Sequence, residues 1–398
     1  MFLRLAVVSL VSITFLFSCP DRASCADAIG VTKSAIKIGM FGPITSSASV
    51  FAKVLYGAAA IYKDINDHGG INGRKLDLVI EDDACDPKKA PALVQKLVEQ
   101  DKVFMLHGAW CSSVALAAKP EIIKRQNVPY MVLGAGSAAI STPVERNIFH
   151  PLTTSATVSH SIVDFALTKN GAKRIAIVTQ PEEGPKAQYQ GSLDYLKEHH
   201  LEPVESAIIP NGSTDATAQA QAIKDKQPDA VLAILYPPEF GIFLRDAYKV
   251  GLKTTVITVQ GTSITDAYKR VGIRDALKDV YFYYPLNDVV TAPSLSKYAR
   301  IFKKYYPSEN LDTITYMGMG GALVTAEAIR RLGANVTRER FIAELDKIRG
   351  FDTAIFPQPI SFTPKDHVGV KIGKMITLIN NKEVVVARYP TEDVQARR

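Results

Sequence analysis

From Ala35 onward, short apolar runs alternate with longer amphipathic ones, and this rhythm constrains the fold more than any other feature of the chain. A short apolar run bounded by turn residues reads as a buried strand, and an amphipathic run of more than about ten residues as a helix. Their alternation is the signature of βαβ units on a mainly parallel sheet. Strands are predicted at 36–41, 76–80, 103–106 and 130–133. Between them lie helices at 54–67, stopped by His68-Gly69-Gly70, at 88–100 with Pro87 in the first turn, and at 113–126. A second series follows, with helices at 155–170, 186–200, 217–226 and 238–250 and strands at 174–179, 204–209, 230–235 and 255–258. Two runs of one architecture predict two similar lobes. After Tyr281-Phe282-Tyr283-Tyr284-Pro285 the period lengthens to helices at 295–305, 314–332 and 338–350, and strands return at 360–362, 375–379 and 383–387. No low-complexity linker separates the halves, so the chain is expected to cross between lobes more than once, a connectivity that permits hinge closure.

The first residues break the pattern. Arg4 precedes an uncharged apolar run from Leu5 to Phe17, about 13 residues, which fits a secretory h-region and is too short to span a bilayer. Cleavage is expected near Ala26, at Ala23-Ser24-Cys25-Ala26 or Ala26-Asp27-Ala28. In the alternative, Leu16-Phe17-Ser18-Cys19 resembles a lipobox and Cys19 anchors a lipoprotein. Cleavage near Ala26 leaves Cys85 and Cys111, an even pair in an oxidising compartment, for which a disulfide is expected against the alternative of two separate buried thiols. The chain has 398 residues and a net charge of +7. Its Lys and Arg are scattered along helical faces without a basic block or interleaved aromatics, which does not indicate nucleic-acid binding.

Three clusters fall where a predicted strand gives way to a helix or turn, the place where open α/β sheets collect ligands. They are Asp82-Asp83-Ala84-Cys85-Asp86-Pro87, His107 through Trp110-Cys111-Ser112-Ser113, and Gly134-Ala135-Gly136-Ser137. The last matches G-x-G-x-x-A, but Pro143 interrupts any following helix and Glu145 comes too early for a ribose-binding acid, so a nicotinamide dehydrogenase is disfavoured. The aspartates read as loop and helix-start chemistry, with Asp86 as a cap. His107 alone does not make a metal site and is expected to pack or bond locally. Nothing assembles a nucleophile with a base.

The Asp82 to Pro87 cluster, the His107 to Ser113 cluster, and Gly69-Gly70-Ile71-Asn72-Gly73 within 66–75 together resemble the periplasmic leucine/isoleucine/valine-binding proteins, type I solute receptors of ABC importers. The resemblance covers essentially the whole mature chain. It implies the type I periplasmic-binding-protein fold, two doubly wound α/β lobes with a hinge of three crossovers. Residues 34–154 plus 284–361 would form the N-terminal lobe and 155–283 plus 362–398 the C-terminal lobe, after a signal peptide at 1–26. It further implies that Ser112, with Ala135 and Ser137, binds a ligand carboxylate, and that Tyr236 and Tyr316 are pocket tyrosines. The departures from the family pattern set the ligand expectation. Gln260 stands where amino-acid binders place the Glu that holds the ligand ammonium, Trp110 replaces a Leu, and a pocket Tyr is lost around Gly184. A neutral amide does not neutralise a buried ammonium. The expected ligand is therefore an aromatic or apolar organic acid enclosed by Trp110, Tyr236 and Phe51, with Gln260 bonding a neutral polar group. The alternatives are a branched-chain or other amino acid, with a different acid taking the ammonium, and a small amide. The resemblance implies a periplasmic monomer that needs no cofactor, catalyses no reaction and serves a membrane permease and ATPase. A sensory receptor of the same fold is the alternative in another class.

Overall fold

The computed structural model describes residues 28–389 except 126 and 170. The signal-peptide reading, Cys19 and Cys25 lie outside the described residues. The elements run β1 (Ala35–Gly42), α1 (Lys53–Asp67), β2 (Lys75–Asp82), α2 (Ala90–Gln95), β3 (Met105–Gly108), α3 (Ser112–Lys124), β4 (Tyr130–Val132) and β5 (Ile148–Phe149). Next come α4 (Ser155–Lys169), β6 (Ile175–Thr179), α5 (Glu183–Glu198), β7 (Glu205–Ile208), α6 (Thr217–Asp225), β8 (Ala230–Ile234), α7 (Pro237–Val250) and β9 (Thr255–Thr258). The chain ends with α8 (Ile264–Val271), β10 (Val280–Tyr284), α9 (Ser296–Tyr305), α10 (Thr313–Arg331), α11 (Arg338–Leu345), β11 (Gly373–Ile379) and β12 (Lys382–Tyr389).

Two sheets result. The first has the order β2-β1-β3-β4-β5 and is parallel throughout. The second has the order β12-β11-β10-β9-β8-β6-β7, parallel from β10 to β7, with β11 and β12 antiparallel at one edge. Strands β6 and β8 are buried at every residue, as apolar runs covered by helices on both faces must be. The chain leaves the first sheet after β5, returns after β10 to pack α10 on α1, and re-enters the second sheet at β11. Glycine makes the α1–α10 approach feasible. A Cβ at Gly57 would stand 2.0 Å from the Thr315 carbonyl oxygen, and one at Gly318 would stand 1.9 Å from that of Val54.

Several predicted elements shift. Strand β3 starts at Met105 instead of 103, because the Val103 and Phe104 carbonyls accept from the buried Arg338 guanidinium at 2.6 and 2.9 Å. Pro87 is not in a helix. Asp86 Oδ1 accepts from Lys88 N at 2.9 Å in a turn, and Pro91 occupies the first turn of α2. The strand expected at 360–362 is one bridge, Phe351 to Ile360, and the helix from Arg338 ends at Leu345. The two residues of β5 and the helix α8 were not anticipated.

Buried histidines give the fold an acid sensitivity. Burial pushes His107 down to about 3 and His150 down to about 4. Both therefore fold neutral, and their contribution, complete above about pH 6.5, is lost as the unfolded chain takes up protons below it. Burial moves Asp83 the other way, to about 6, so it binds its proton first in the folded state and opposes the loss. Urea unfolding is expected to show about 2 kcal/mol less stability at pH 5 than at pH 7, with a net uptake of roughly one proton on unfolding. A flat profile would contradict neutral buried imidazoles.

Candidate functional site

The strand orders place the site. Neighbouring connections diverge between β1 and β3 in the first sheet and between β6 and β8 in the second, and crevices open beyond the carboxyl ends of such strands. From the first sheet, β3 delivers Ala109, Trp110 and Cys111, and α3 begins at Ser112. The first-turn N–H groups of α3 have no intrahelical acceptor, so this end of the helix favours an anion. Trp110 stacks on Phe51, with centroids 4.7 Å apart and planes 14° from parallel. Phe51 meets Tyr236 of the second half edge-on at 5.0 Å. Gly134 lies against the indole so closely that a Cβ there would be 2.2 Å from Trp110 Cε3. Ser112 Oγ accepts from Ser137 N at 3.1 Å, tying the start of α3 to the turn after β4.

Two loops brace this wall. The Cys85–Cys111 disulfide joins the loops after β2 and β3, with Cα atoms 5.6 Å apart. Asp82 accepts from Ile44 N at 2.8 Å, Thr45 N at 3.1 Å and Ala84 N at 2.9 Å, and also from the Thr45 hydroxyl. Burial opposes its ionisation, but the Thr45 hydroxyl and these N–H groups prevail and hold its carboxyl down to about 2. The segment leading to Phe51 is thus pinned to the end of β2.

From the second sheet, Tyr236 follows β8, Val259-Gln260 follows β9, and the start of α5 closes over them. A Cβ at Gly184 would stand 3.1 Å from the Tyr236 hydroxyl and 3.6 Å from Ser112 Oγ, so the two halves meet here. Gln260 Oε1 accepts from Thr153 Oγ1 at 3.0 Å, and its Nε2 comes within 3.3 Å of the position of a Cβ on Gly136. The space left is a cavity of ≈ 30 Å³. Its first-half walls are Trp110, Ser112, Gly134 and Gly136, and its second-half walls are Gly184, Pro185, Gln188, Tyr236, Val259 and Gln260. None of these is an Asp, Glu, Lys or Arg. A wider groove of ≈ 870 Å³ beside α5 is lined by Ser137, Thr179, Gln180 and Glu183 and shares none of Trp110, Ser112, Tyr236 or Gln260.

Of the residues singled out from the sequence, Trp110, Ser112, Tyr236 and Gln260 converge on the cavity, and Phe51 backs the indole. Ser137 does not line the cavity: it supports Ser112 through its backbone N–H and faces the groove beside α5. Ala135 does not line the cavity, because its N–H is already donated to Ala109 O at 3.0 Å. Tyr316 is elsewhere: in α10, its hydroxyl donates to Val290 O at 3.1 Å and Leu295 O at 3.4 Å, anchoring the segment before α9. His107 bonds Tyr62 through Nδ1 at 2.9 Å, and among the described residues no cluster of His, Cys, Asp or Glu is arranged for a metal. Sequence reasoning missed Gln188, Pro185 and Thr153. Gln188 lies one helical turn from Gly184, a spacing that marks one face.

The periplasmic binding protein family model matches residues 35–378. Leu/Ile/Val-binding protein homolog 7 of Brucella abortus is 24% identical over 339 residues, which are 82% of this chain and 80% of the relative. A branched-chain amino acid ABC transporter structure from Thermus thermophilus with bound valine superposes with a TM-score of 0.83 at 18% identity, covering 92% of this chain and 99% of that one. A fatty acid ABC transporter substrate-binding protein from Thermomonospora curvata reaches 0.80 at 20% identity, covering 93% and 96%. With the family model spanning both sheets, and the sheet orders and cleft in agreement, the chain belongs to the periplasmic binding protein family and has its type I fold.

Proposed function

We propose that this protein is the extracytoplasmic solute-binding subunit of an ABC importer and that it captures a small amino acid for a membrane permease and its ATPase. One observation carries the carboxylate part: Ser112 Oγ, fixed by Ser137 N–H, stands at the start of α3 on the cavity wall. An amino acid is supported by the names of the relatives, and a receptor role by walls that hold no nucleophile beside a base. The lobes are taken as 34–154 plus 284–370 and 155–283 plus 371–389, closing on the ligand as a monomer; residues 362–370, assigned to the C-terminal lobe from the sequence, instead pack on the first through the His150–Val368 bridge and the Phe149–Phe362 ring contact.

A second reading, an aromatic or apolar acid without an amine, is favoured by Gln260 in place of an acid and by the absence of any Asp or Glu among the lining residues. Trp110, the only tryptophan, reports on both. Titration of ligand-free, refolded protein with leucine and valine is expected to give a saturable fluorescence change, and benzoate, a hydroxycinnamate and a short fatty acid are not. A response to the amine-free acids alone would replace the first reading by the second. Ser112→Ala should weaken the leucine response by about 10- to 100-fold, the value of a hydrogen bond to a charged group. Unchanged affinity would remove Ser112 from the carboxylate seat.

A further inference from the structure

We propose that Thr153 is a positioning residue for solute capture: its hydroxyl locks the Gln260 amide with the NH2 group toward the cavity, so the ligand atom facing position 260 is a hydrogen-bond acceptor. This rests on the reading of the strand-end cavity as the solute site, and applies to an amino acid and to an amine-free acid alike. Thr153 lies between β5 and α4, on the chain's first passage from one sheet to the other, and is 1% exposed. It does not line the cavity, whereas Gln260 does. Thr153 Oγ1 donates to Gln260 Oε1 at 3.0 Å. Gln260 Nε2 takes no partner among the described residues and points past the Gly136 backbone, 3.3 Å from where a Cβ would stand. The donor end of the amide is thus the end left for a ligand.

What fixes that orientation is an account of protons. A threonine hydroxyl has one proton to give, and a buried proton without an acceptor is costly. Behind Thr153 stands Tyr283 of β10, 1% exposed, whose hydroxyl meets no partner at ordinary hydrogen-bond geometry. Burial pushes this phenol up, and the Thr153 hydroxyl opposes the shift. Thr153 is therefore the acceptor on the Tyr283 side and gives its own proton to Gln260. Turning the amide over would set its NH2 against Thr153 and leave the threonine proton with nothing to bond. The row from Tyr283 through Thr153 to Gln260 is also rigidly backed, because a Cβ on Gly373, where the chain re-enters the second sheet, would stand 2.2 Å from both Cζ and the hydroxyl oxygen of Tyr283. Hydrogen bonds in a row strengthen one another. On the facing wall, Ser112 Oγ accepts from Ser137 N–H and keeps its proton to give. Donors from the two halves thus face each other across the cavity, an arrangement that suits a carboxylate held by both.

The test titrates ligand-free wild type, Thr153→Val, Thr153→Ser, Gln260→Ala, Gln260→Glu and the double variant of Thr153→Val with Gln260→Ala. The ligands are leucine and the amine-free 4-methylpentanoate, followed by Trp110 fluorescence and calorimetry. For whichever compound binds, Thr153→Val is expected to weaken affinity about 10-fold and Thr153→Ser, which keeps the hydroxyl, by less than about threefold. In the Gln260→Ala background Thr153→Val should add no further loss, which a merely structural role does not predict. Gln260→Glu should weaken both compounds, because it sets a carboxylate against the ligand's acceptor. Wild-type affinity in Thr153→Val, or the same loss with and without Gln260, would overturn the role of Thr153. Tighter leucine binding by Gln260→Glu would overturn the acceptor assignment and leave the amino-acid reading standing. Binding of 4-methylpentanoate alone would overturn the amino-acid reading and leave Thr153 to be judged on that acid. A second measurement needs no ligand: the Gln260 side-chain NH2 resonances, assigned by their loss in Gln260→Ala, should move in Thr153→Val and stay in place in Thr153→Ser. Resonances unmoved in Thr153→Val would overturn the hold of Thr153 on the amide even if neither compound binds.

Discussion

Alanine in place of Gly134 is expected to weaken ligand binding about 100-fold and to lower stability by about 2 kcal/mol, for the addition of one methyl group. The cause is the absence of room on either side of Trp110. A Cβ on Gly134 would lie 2.2 Å from Cε3, 2.8 Å from Cζ3 and 3.1 Å from Cδ2, against the flat of the indole. The ring is held on Phe51 at 4.7 Å, and its far edge approaches Gly261, where a Cβ would be 3.6 Å from Cζ2. Either the indole leaves the stack or the turn after β4 moves away from α3, and both break the wall that carries Ser112. Gly136→Ala is the contrast. Its new methyl meets Gln260 Nε2 at 3.3 Å, the far end of a flexible side chain, and Ser155 N at an ordinary 4.0 Å, so stability should hardly change and affinity should fall less. Urea unfolding and fluorescence titration of the two variants decide this. Wild-type affinity in Gly134→Ala would mean that Trp110 is free to move.

The difference between these glycines shows what a sequence encodes legibly. The alternation of apolar and amphipathic runs revealed the order of most strands and helices, because burial on both faces of a parallel sheet demands it. It also located the cleft, because loops after β3, β4, β8 and β9 must gather at one end. Contacts set by three-dimensional closure were not legible. Ala135 has the right spacing for a ligand contact, yet its N–H is consumed by Ala109. Tyr316 sits in a helix whose period was read correctly, but the face it presents is decided by the packing of α10 on α1. The shift of β3 has a similar origin, since Arg338 takes two carbonyls from more than two hundred residues away.

Opening the Cys85–Cys111 bridge should cost about 3.5 kcal/mol, the loop-closure value for a sequence separation of 26, and lower the melting temperature by about 5 °C. The local backbone shows why the bridge matters to the site. Ala84 and Cys85 both adopt positive φ, 50° and 60°, which is unfavourable for residues with a Cβ. Asp82 and Asp83 hold this turn by accepting from the N–H groups of Ala84 and Cys85 at 2.9 and 2.8 Å. Cys111, 1% exposed, is the cap of α3, immediately before Ser112. The bridge therefore couples the loop that positions Phe51 to the helix start that positions Ser112, and leucine affinity should fall about tenfold when it is absent. Reduction of the wild type and the double variant Cys85→Ala with Cys111→Ala separate two causes. Equal losses assign the effect to the covalent link itself. A loss in the alanine variant alone assigns it to the packing of the sulfur atoms around Cys111, and no loss in either would remove the bridge from the support of the site.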